Sequence, residues 1–399
     1  MYLATLISLA GDWFLTVALV DLVLALTGKA ALTALISLCM NLPVFVLTPW
    51  AGATVDRVNR RRLMIAMDLI RAGAALLPLL STSPARLPFA YLGVLLIASC
   101  SAYFDPAADA ALPNFVAEED LGRANVLLGS AWGTMMAVGA ALGGLVTTLG
   151  GRTAAFVIDS LSFLTSAWLI IGIRARFAEK ATHETARVSL AESMRETIHY
   201  AQKQPRVLAL LISKAGYGLG AGMVPLLGLF GEKVFARGAQ GVSLILVARG
   251  TGAVLGPVLL NRLFRPTPEQ SYKQCRAIAP CVALFAVGYM GLAVSPGIAL
   301  GMVAVTLAHL GAGAQWQASA YGLQTVVPDS LRGRVFAADY GLLTFSLSLS
   351  SMGAGLLADR YGVRQAALWL AGLGLVWALL WGLSTRRLWR SPIATPAPR

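Results

Sequence analysis

The sequence predicts an all-α integral membrane protein of about twelve transmembrane helices, and three observations support this prediction. Apolar residues make up 57% of the chain and charged residues 13%, well below the roughly 25% of charged residues in soluble domains. The mean hydropathy is +0.69. Segments of about twenty apolar residues recur along the whole chain, each long enough to cross a hydrocarbon layer about 30 Å thick. We therefore expect no added soluble domain.

The longest hydrophilic segment, Ala175 to Arg206, lies near the middle of the chain and leaves six predicted spans on each side. This predicts two pseudo-symmetric six-helix bundles. We expect an N-terminal bundle at 1–178, a cytoplasmic linker at 179–206, a C-terminal bundle at 207–386 and a cytoplasmic tail at 387–399. The predicted spans are 2–27, 32–55, 63–82, 88–112, 125–149, 153–174, 207–231, 241–262, 277–295, 297–326, 336–358 and 363–385.

The linker contains a predicted amphipathic helix. Ser189 and Glu192 have the spacing of a capping box, and apolar residues then recur every four positions until Pro205. Such a helix is expected to lie along the cytoplasmic membrane surface.

The distribution of charge predicts the orientation. A net charge of +13 would suggest a nucleic-acid partner in a soluble chain. Here most of the 32 Lys and Arg fall in segments that are cytoplasmic if both termini are cytoplasmic, which is the positive-inside pattern. We expect a multi-pass protein of the plasma (inner) membrane that has the lipid bilayer as partner and binds no nucleic acid.

Cysteine and histidine patterns indicate neither a metal site nor catalysis. The four cysteines show no CxxC or Cys/His spacing, and the three histidines form no HExxH motif or nucleophile pair. We therefore expect no metal, no cofactor and no enzyme activity.

The loop between the second and third spans carries a motif. Its sequence from Gly52 to Arg62 reads G-x-x-x-D-R-x-x-R-R-R and resembles the signature of the major facilitator superfamily. The glycine would let two helices approach closely, the aspartate could receive a helix dipole, and the arginines would stay in cytoplasmic water. We expect a conformational latch, although the arginines alone could be only a topology signal. The predicted latch residues are Gly52, Asp56, Arg57, Arg60, Arg61, Arg332 and Arg334.

Two similar stretches extend the resemblance. Span 4 ends in Leu112-Pro113-Asn114 and span 10 in Val327-Pro328-Asp329, and each is followed by a basic turn, which indicates an internal duplication. These stretches resemble the major facilitator subgroup that contains enterobactin exporters and macrolide efflux proteins. The resemblance covers essentially the whole chain. It implies two bundles that rock about a midplane site, with spans 1, 4, 7 and 10 lining the cavity.

Carboxylates inside the spans are the leading candidates for proton coupling. An ionised group at mid-membrane costs on the order of 3 kcal/mol, so it normally faces a cavity or a partner. Asp12 lies in span 1, and Asp105 and Asp109 share one face of span 4. Packing or capping is an equally good explanation for Asp105 and Asp109.

Other charged residues in the spans have simpler expected roles. Asp68 and Arg71 lie three positions apart, a spacing that favours a local ion pair. Asp159 is expected to serve packing or capping. Lys214 is expected to extend toward the cytoplasmic surface. Arg249 lies deeper and is expected to meet a partner or a cavity.

Two further groups complete the candidate site. Gln315, Trp316 and Gln324 place amide and aromatic groups in span 10, where they could line a pocket for a flat amphipathic ligand. Span 5 has glycines similar to the antiporter motif of the family, which could also serve only close helix packing. The glycines concerned are Gly139, Gly143 and Gly144.

The sequence thus predicts a monomeric secondary active transporter that uses the proton gradient as its energy source. The predicted activity is proton-coupled efflux of a small-molecule substrate of the drug, macrolide or siderophore class. The alternatives are an importer or lysophospholipid flippase on the same fold, and a membrane scaffold that transports nothing.

Overall fold

The computed structural model describes residues 2–55, 58–111, 121–173, 190–265 and 271–390, and within these ranges it contains helices and no strand. The lipid environment explains this, because a spanning segment in hydrocarbon must satisfy each backbone N–H and C=O within its own helix. The helices are α1 (Tyr2–Thr27), α2 (Ala30–Val55), α3 (Arg60–Ala74), α4 (Pro88–Ala111), α5 (Leu121–Gly172), α6 (Leu190–Lys203), α7 (Pro205–Gly220), α8 (Leu226–Leu229), α9 (Gly238–Leu263), α10 (Ser271–Arg276), α11 (Ile278–Val294), α12 (Ile298–Val326), α13 (Asp329–Tyr361) and α14 (Val363–Thr385).

The number of membrane crossings agrees with the prediction. Eleven helices in the described ranges are long and apolar enough to cross a membrane. One of these lies in α5, whose 52 residues would extend about 78 Å as a single rod, far more than one bilayer. Gly151 breaks α5 with φ 77° and ψ 172°, a backbone conformation that favours glycine. Two spans therefore lie in α5, and the prediction of about twelve is confirmed.

Two predicted spans are less regular than expected. The third span consists of α3 followed by a 3-10 turn at Leu77–Leu80, which contains Pro78. The seventh span begins with α7, continues through a 3-10 turn and α8, and ends in a π-helix at Phe230–Val234. The predicted linker helix is present as α6, while its capping residue Ser189 lies outside the described residues.

The chain divides into two compact units. Unit 1 comprises Met1–Thr185 with Leu227–Val247, and unit 2 comprises Ala186–Leu226 with Ala248–Arg399. The segment Leu227–Val247, which we expected within the C-terminal bundle, thus packs with unit 1. The four domain boundaries given above stay predictions.

Each unit has its own helix packing. In unit 1, α1 packs along α5, α4 packs on α2 and α3, and α3 also contacts α5. Met64, Phe104 and Ile170 belong to a buried cluster in this unit. In unit 2, α11 packs on α12 and α14, and α7 packs on α13.

Glycine permits the close approach of α11 and α12. A Cβ on Gly311 of α12 would overlap the Cys281 carbonyl oxygen of α11 and lie 3.0 Å from the Phe285 backbone nitrogen. A Cβ on Gly372 of α14 would have no atom of the other described residues within 4 Å. The two glycines therefore differ in their tolerance of a methyl group.

We predict that Gly311→Ala destabilises the protein by about 1–3 kcal/mol, the usual effect of overpacking. Gly372→Ala is the matched control and should leave stability unchanged or slightly raise it, because alanine has the higher helix propensity. Thermal unfolding of the two purified variants in detergent measures the difference. Equal unfolding temperatures would contradict the close approach at Gly311.

Candidate functional site

Arg71 is the centre of a charged cluster in unit 1. Its side chain is 3% exposed and forms an ion pair with Asp68, which is fully buried. Its Nη1 lies 3.4 Å from the Ser101 hydroxyl. The guanidinium also lies 4.1 Å from the ring centroid of Phe104 and 4.7 Å from that of Phe163, within the range of cation–π attraction. The predicted local ion pair of Asp68 and Arg71 is confirmed.

Four carboxylates gather near this one arginine. Asp12 lies within electrostatic range of Arg71, Asp105 and Asp68. Asp159 lies within electrostatic range of Asp12 and Arg71. These carboxylates come from α1, α3, α4 and α5. Because charges are poorly screened away from water, an excess of acidic groups over cations favours the binding of a positive charge.

The carboxylates of the cluster differ in how deeply they are buried. Asp105 is exposed and Asp12 is half-buried, whereas Asp68 and Asp159 are fully buried. The structure thus brings together two of the three predicted carboxylates. The third, Asp109, lies on α4, and its side chain is outside the described residues.

The predicted latch lies only partly within the described residues. Arg60 begins α3, and the Arg61 guanidinium donates to the Ile171 carbonyl oxygen near the end of α5. Arg334 is a half-buried residue of α13. The latch itself stays a prediction. Asp56 and Arg57 lie outside the described residues, and the surroundings of Gly52 and Arg332 are not described.

The predicted glycines of span 5 lie at helix contacts inside unit 1. Gly139 and Gly143 are buried against Trp13 and Phe14 of α1, and Gly144 is buried against the first part of α9. Small residues at such positions let helix backbones approach closely in a membrane.

Unit 2 contains a second buried ion pair. Lys214 is 3% exposed and forms an ion pair with Asp339, which is fully buried. Our expectation that Lys214 extends toward the cytoplasmic surface is therefore wrong, because a carboxylate 125 positions away in the chain binds its ammonium group. The same ammonium lies 4.5 Å from the ring centroid of Trp316.

The predicted span-10 residues separate into two groups. Trp316 is 42% exposed and Gln324 is also exposed, so both present polar or aromatic surface. Gln315 is fully buried, and among the described residues its amide nitrogen and oxygen have no hydrogen-bond partner. Gln315 therefore lines no accessible surface in this structure.

Arg249 lies beside an aromatic cluster in unit 2. Its charge acts on Tyr217, Tyr289 and His309. The Tyr289 hydroxyl and the His309 Nε2 are 3.1 Å apart. The ring of Phe285 contacts the rings of Tyr217 and Tyr289 in tilted geometry, with centroids 5.0 and 4.9 Å away. Arg249 is half-buried, whereas Tyr289 and His309 are buried, so a cation lies beside a buried aromatic cluster.

Unit 1 also has a charged cluster that the sequence did not reveal. Asp21 of α1 forms an ion pair with Arg152 of α5, and Lys233 donates to the Gly28 carbonyl oxygen. Glu232 lies within electrostatic range of both ion-pair partners. Apolar runs show where these residues lie along the membrane normal, but they do not show which helices are neighbours.

The fold defines a polytopic membrane protein of the major facilitator type. The crystal structure of the nucleoside transporter NupG is similar, with a TM-score of 0.75 over 95% of this chain and 97% of that one, at 12% identity. The chain belongs to the transmembrane secretion effector family, which matches residues 1–390. The predicted membership of the major facilitator superfamily is thus confirmed, and both family and fold are those of membrane transporters.

Two relatives are similar along nearly their whole length. The multidrug efflux pump Tap of Mycobacterium tuberculosis is 28% identical over 378 residues, which cover 92% of this chain and 88% of that protein. The multidrug efflux pump Tap of Mycolicibacterium fortuitum is 27% identical over 382 residues, which cover 92% of this chain and 90% of that protein.

We predict that Lys214→Met destabilises unit 2 by about 3–5 kcal/mol, because it leaves the buried Asp339 carboxylate without its cation. The double variant Lys214→Met with Asp339→Leu should recover most of that loss, since neither charge remains. Thermal unfolding of the single and double variants in detergent tests the pair. A double variant no more stable than Lys214→Met would show that the pair does not act as described.

Proposed function

We propose that this protein exports a small amphipathic compound from the cytoplasm in exchange for protons. The observation that supports this proposal is the unit 1 cluster, in which Arg71 pairs with Asp68 and its charge also acts on Asp12 and Asp159, while the charge of Asp105 acts on Asp12. Charges inside a membrane protein are costly and usually serve transport or proton transfer. A carboxylate that faces each side of the membrane in turn can take up a proton on one side and release it on the other.

The relatives support the direction of transport. Two of them are named multidrug efflux pumps and match over about nine-tenths of this chain. An efflux pump for drugs must accept molecules that combine apolar surface with a few polar groups. We extend both properties, export and an amphipathic substrate, to this protein.

Unit 2 offers groups suited to such a substrate. The exposed ring of Trp316 provides a flat polarizable surface, and the exposed amide of Gln324, two turns further along α12, provides a hydrogen-bond donor and acceptor. Arg249 and the neighbouring tyrosines add a cation with aromatic surroundings. Ligand sites of this kind combine apolar walls with a few polar groups that fix orientation.

Proton exchange supplies enough free energy for accumulation. A difference of one pH unit is worth about 1.4 kcal/mol per proton, which corresponds to about a tenfold concentration ratio. One proton exchanged for one neutral substrate molecule therefore supports about tenfold accumulation per pH unit. No cofactor is needed in this scheme, because the proton gradient is the energy source.

We predict that Asp12→Asn and Asp105→Asn each reduce export driven by a pH gradient to the background of empty vesicles. Each change keeps the size of the side chain but removes the group that binds the proton. Asp359→Asn is the matched control, because Asp359 is an exposed carboxylate of α13 outside the unit 1 cluster. The measurement is uptake of a fluorescent amphipathic cation, such as ethidium, into everted membrane vesicles.

The same vesicles distinguish the alternatives. Movement of the probe in the opposite direction would indicate import, and movement of a labelled lysophospholipid alone would indicate a flippase. Absence of any transport, together with unchanged drug susceptibility of cells carrying the Asp12→Asn and Asp105→Asn proteins, would indicate a scaffold and end the proposal. A susceptibility panel of cells with and without the protein identifies the substrate class.

A further inference from the structure

Asp159 is a fully buried carboxylate that lies next to the Ser162 hydroxyl. It lies in the part of α5 that follows Gly151, and its side chain is fully buried. Among the residues that the structure describes, neither of its carboxylate oxygens has a hydrogen-bond partner. The nearby Ser162 hydroxyl donates to the backbone carbonyl oxygen of Asp159 at 2.8 Å. Packing or capping, the role that the sequence predicts for this residue, stays a prediction.

The carboxyl group of Asp159 points at α1 beside Asp12. A Cβ on Gly11 would lie 2.5 Å from the Asp159 Oδ1, so the glycine leaves the space that the carboxyl group occupies. Gly11 directly precedes Asp12, and the charges of Asp12 and Asp159 act on one another. Two acidic groups thus lie close enough to interact electrostatically where α1 packs along α5.

The charges around this pair do not neutralise it. Asp12 experiences the charges of Arg71 and Asp68 of α3 and of Asp105 of α4, and Asp159 experiences those of Asp12 and Arg71. Arg71 is the cation common to both, and its guanidinium already pairs with Asp68 between two aromatic rings. Two like charges held together away from water are strongly unfavourable, and one proton shared between them removes most of that cost.

The exposures of the three carboxylates form a series. Asp105 is exposed, Asp12 is half-buried and Asp159 is fully buried. This order of exposure is the observation from which we infer a route for a proton from Asp105 through Asp12 to Asp159.

We propose that Asp12 and Asp159 form a two-carboxylate site that holds one proton between α1 and α5, with Asp105 exchanging that proton with water. Binding forms one O–H bond on the pair and release breaks it, and nothing is oxidised or reduced. This proposal deepens the proton-coupled export described above and relies on it for the role of the proton, but not for the existence of the site.

The test is infrared spectroscopy of the purified, reconstituted protein at neutral pH. A protonated carboxyl group gives a C=O stretching band that a carboxylate lacks. We expect the wild-type protein to show this band, Asp159→Asn to lose it, and Asp12→Asn to shift it by changing the neighbour of the proton. Asp159→Glu should retain a shifted band, and the control Asp359→Asn should leave the band unchanged.

Three results would overturn the two-carboxylate site. The first is a wild-type protein without a protonated carboxyl band, and the second is a band that survives unaltered in correctly folded Asp159→Asn protein. The third is loss of the wild-type band when sodium ions are added at constant pH, which would assign the site to a metal cation.

A vesicle assay separates this proposal from the broader one. If wild-type export depends on the pH gradient while Asp159→Asn keeps both its band and its coupling, only the two-carboxylate site is rejected. If wild-type export needs no pH gradient but the infrared band still depends on Asp159 and Asp12, proton coupling is rejected while the site stands. Protons released per substrate bound, measured in unbuffered solution, should fall in Asp159→Asn if both proposals are correct.

Discussion

The constraint on which the structure depends is that charges among membrane helices must be balanced by neighbouring side chains, because water is not there to do it. Arg71 illustrates this constraint. Its guanidinium binds a carboxylate of its own helix, approaches a hydroxyl of α4 and lies between aromatic rings of α4 and α5. One side chain thereby fixes the relative positions of three helices in unit 1. Moving α4 or α5 would remove the hydroxyl or an aromatic ring from the guanidinium, while the ion pair within α3 would remain.

Close packing creates the space in which these charges meet. Helices in lipid gain little from the hydrophobic effect when they associate, so they depend on van der Waals contact and on small residues at the interface. Gly143 brings α5 against Phe14 of α1. Gly11 leaves room for the carboxyl group of Asp159 on the same helix pair. Gly143 therefore permits the contact between α1 and α5, and Gly11 leaves space at the same contact for the Asp159 carboxyl group.

The sequence predicts the helices of this protein better than it predicts their partners. Apolar length and a break near Gly151 depend only on local sequence, and both are confirmed. Asp68 and Arg71 lie one turn apart on a single helix, so their ion pair could be predicted in the same way. The sequence alone places Lys214 at the membrane surface. Its partner, Asp339, cannot be recognised from local sequence because it is distant in the chain. Periodicity cannot reveal such pairs, since it does not show which faces of two remote helices meet.

The two units differ in the charge that they leave unbalanced. In unit 2, Lys214 and Asp339 neutralise each other, and Arg249 lies among aromatic groups. In unit 1 the acidic groups near Arg71 outnumber it. In our proposal, unit 1 holds the proton while unit 2 presents surface to a substrate. In our proposal, the substrate and the proton need not compete for one carboxylate. Coupling requires only that the conformational change of the protein be unfavourable when the proton is absent.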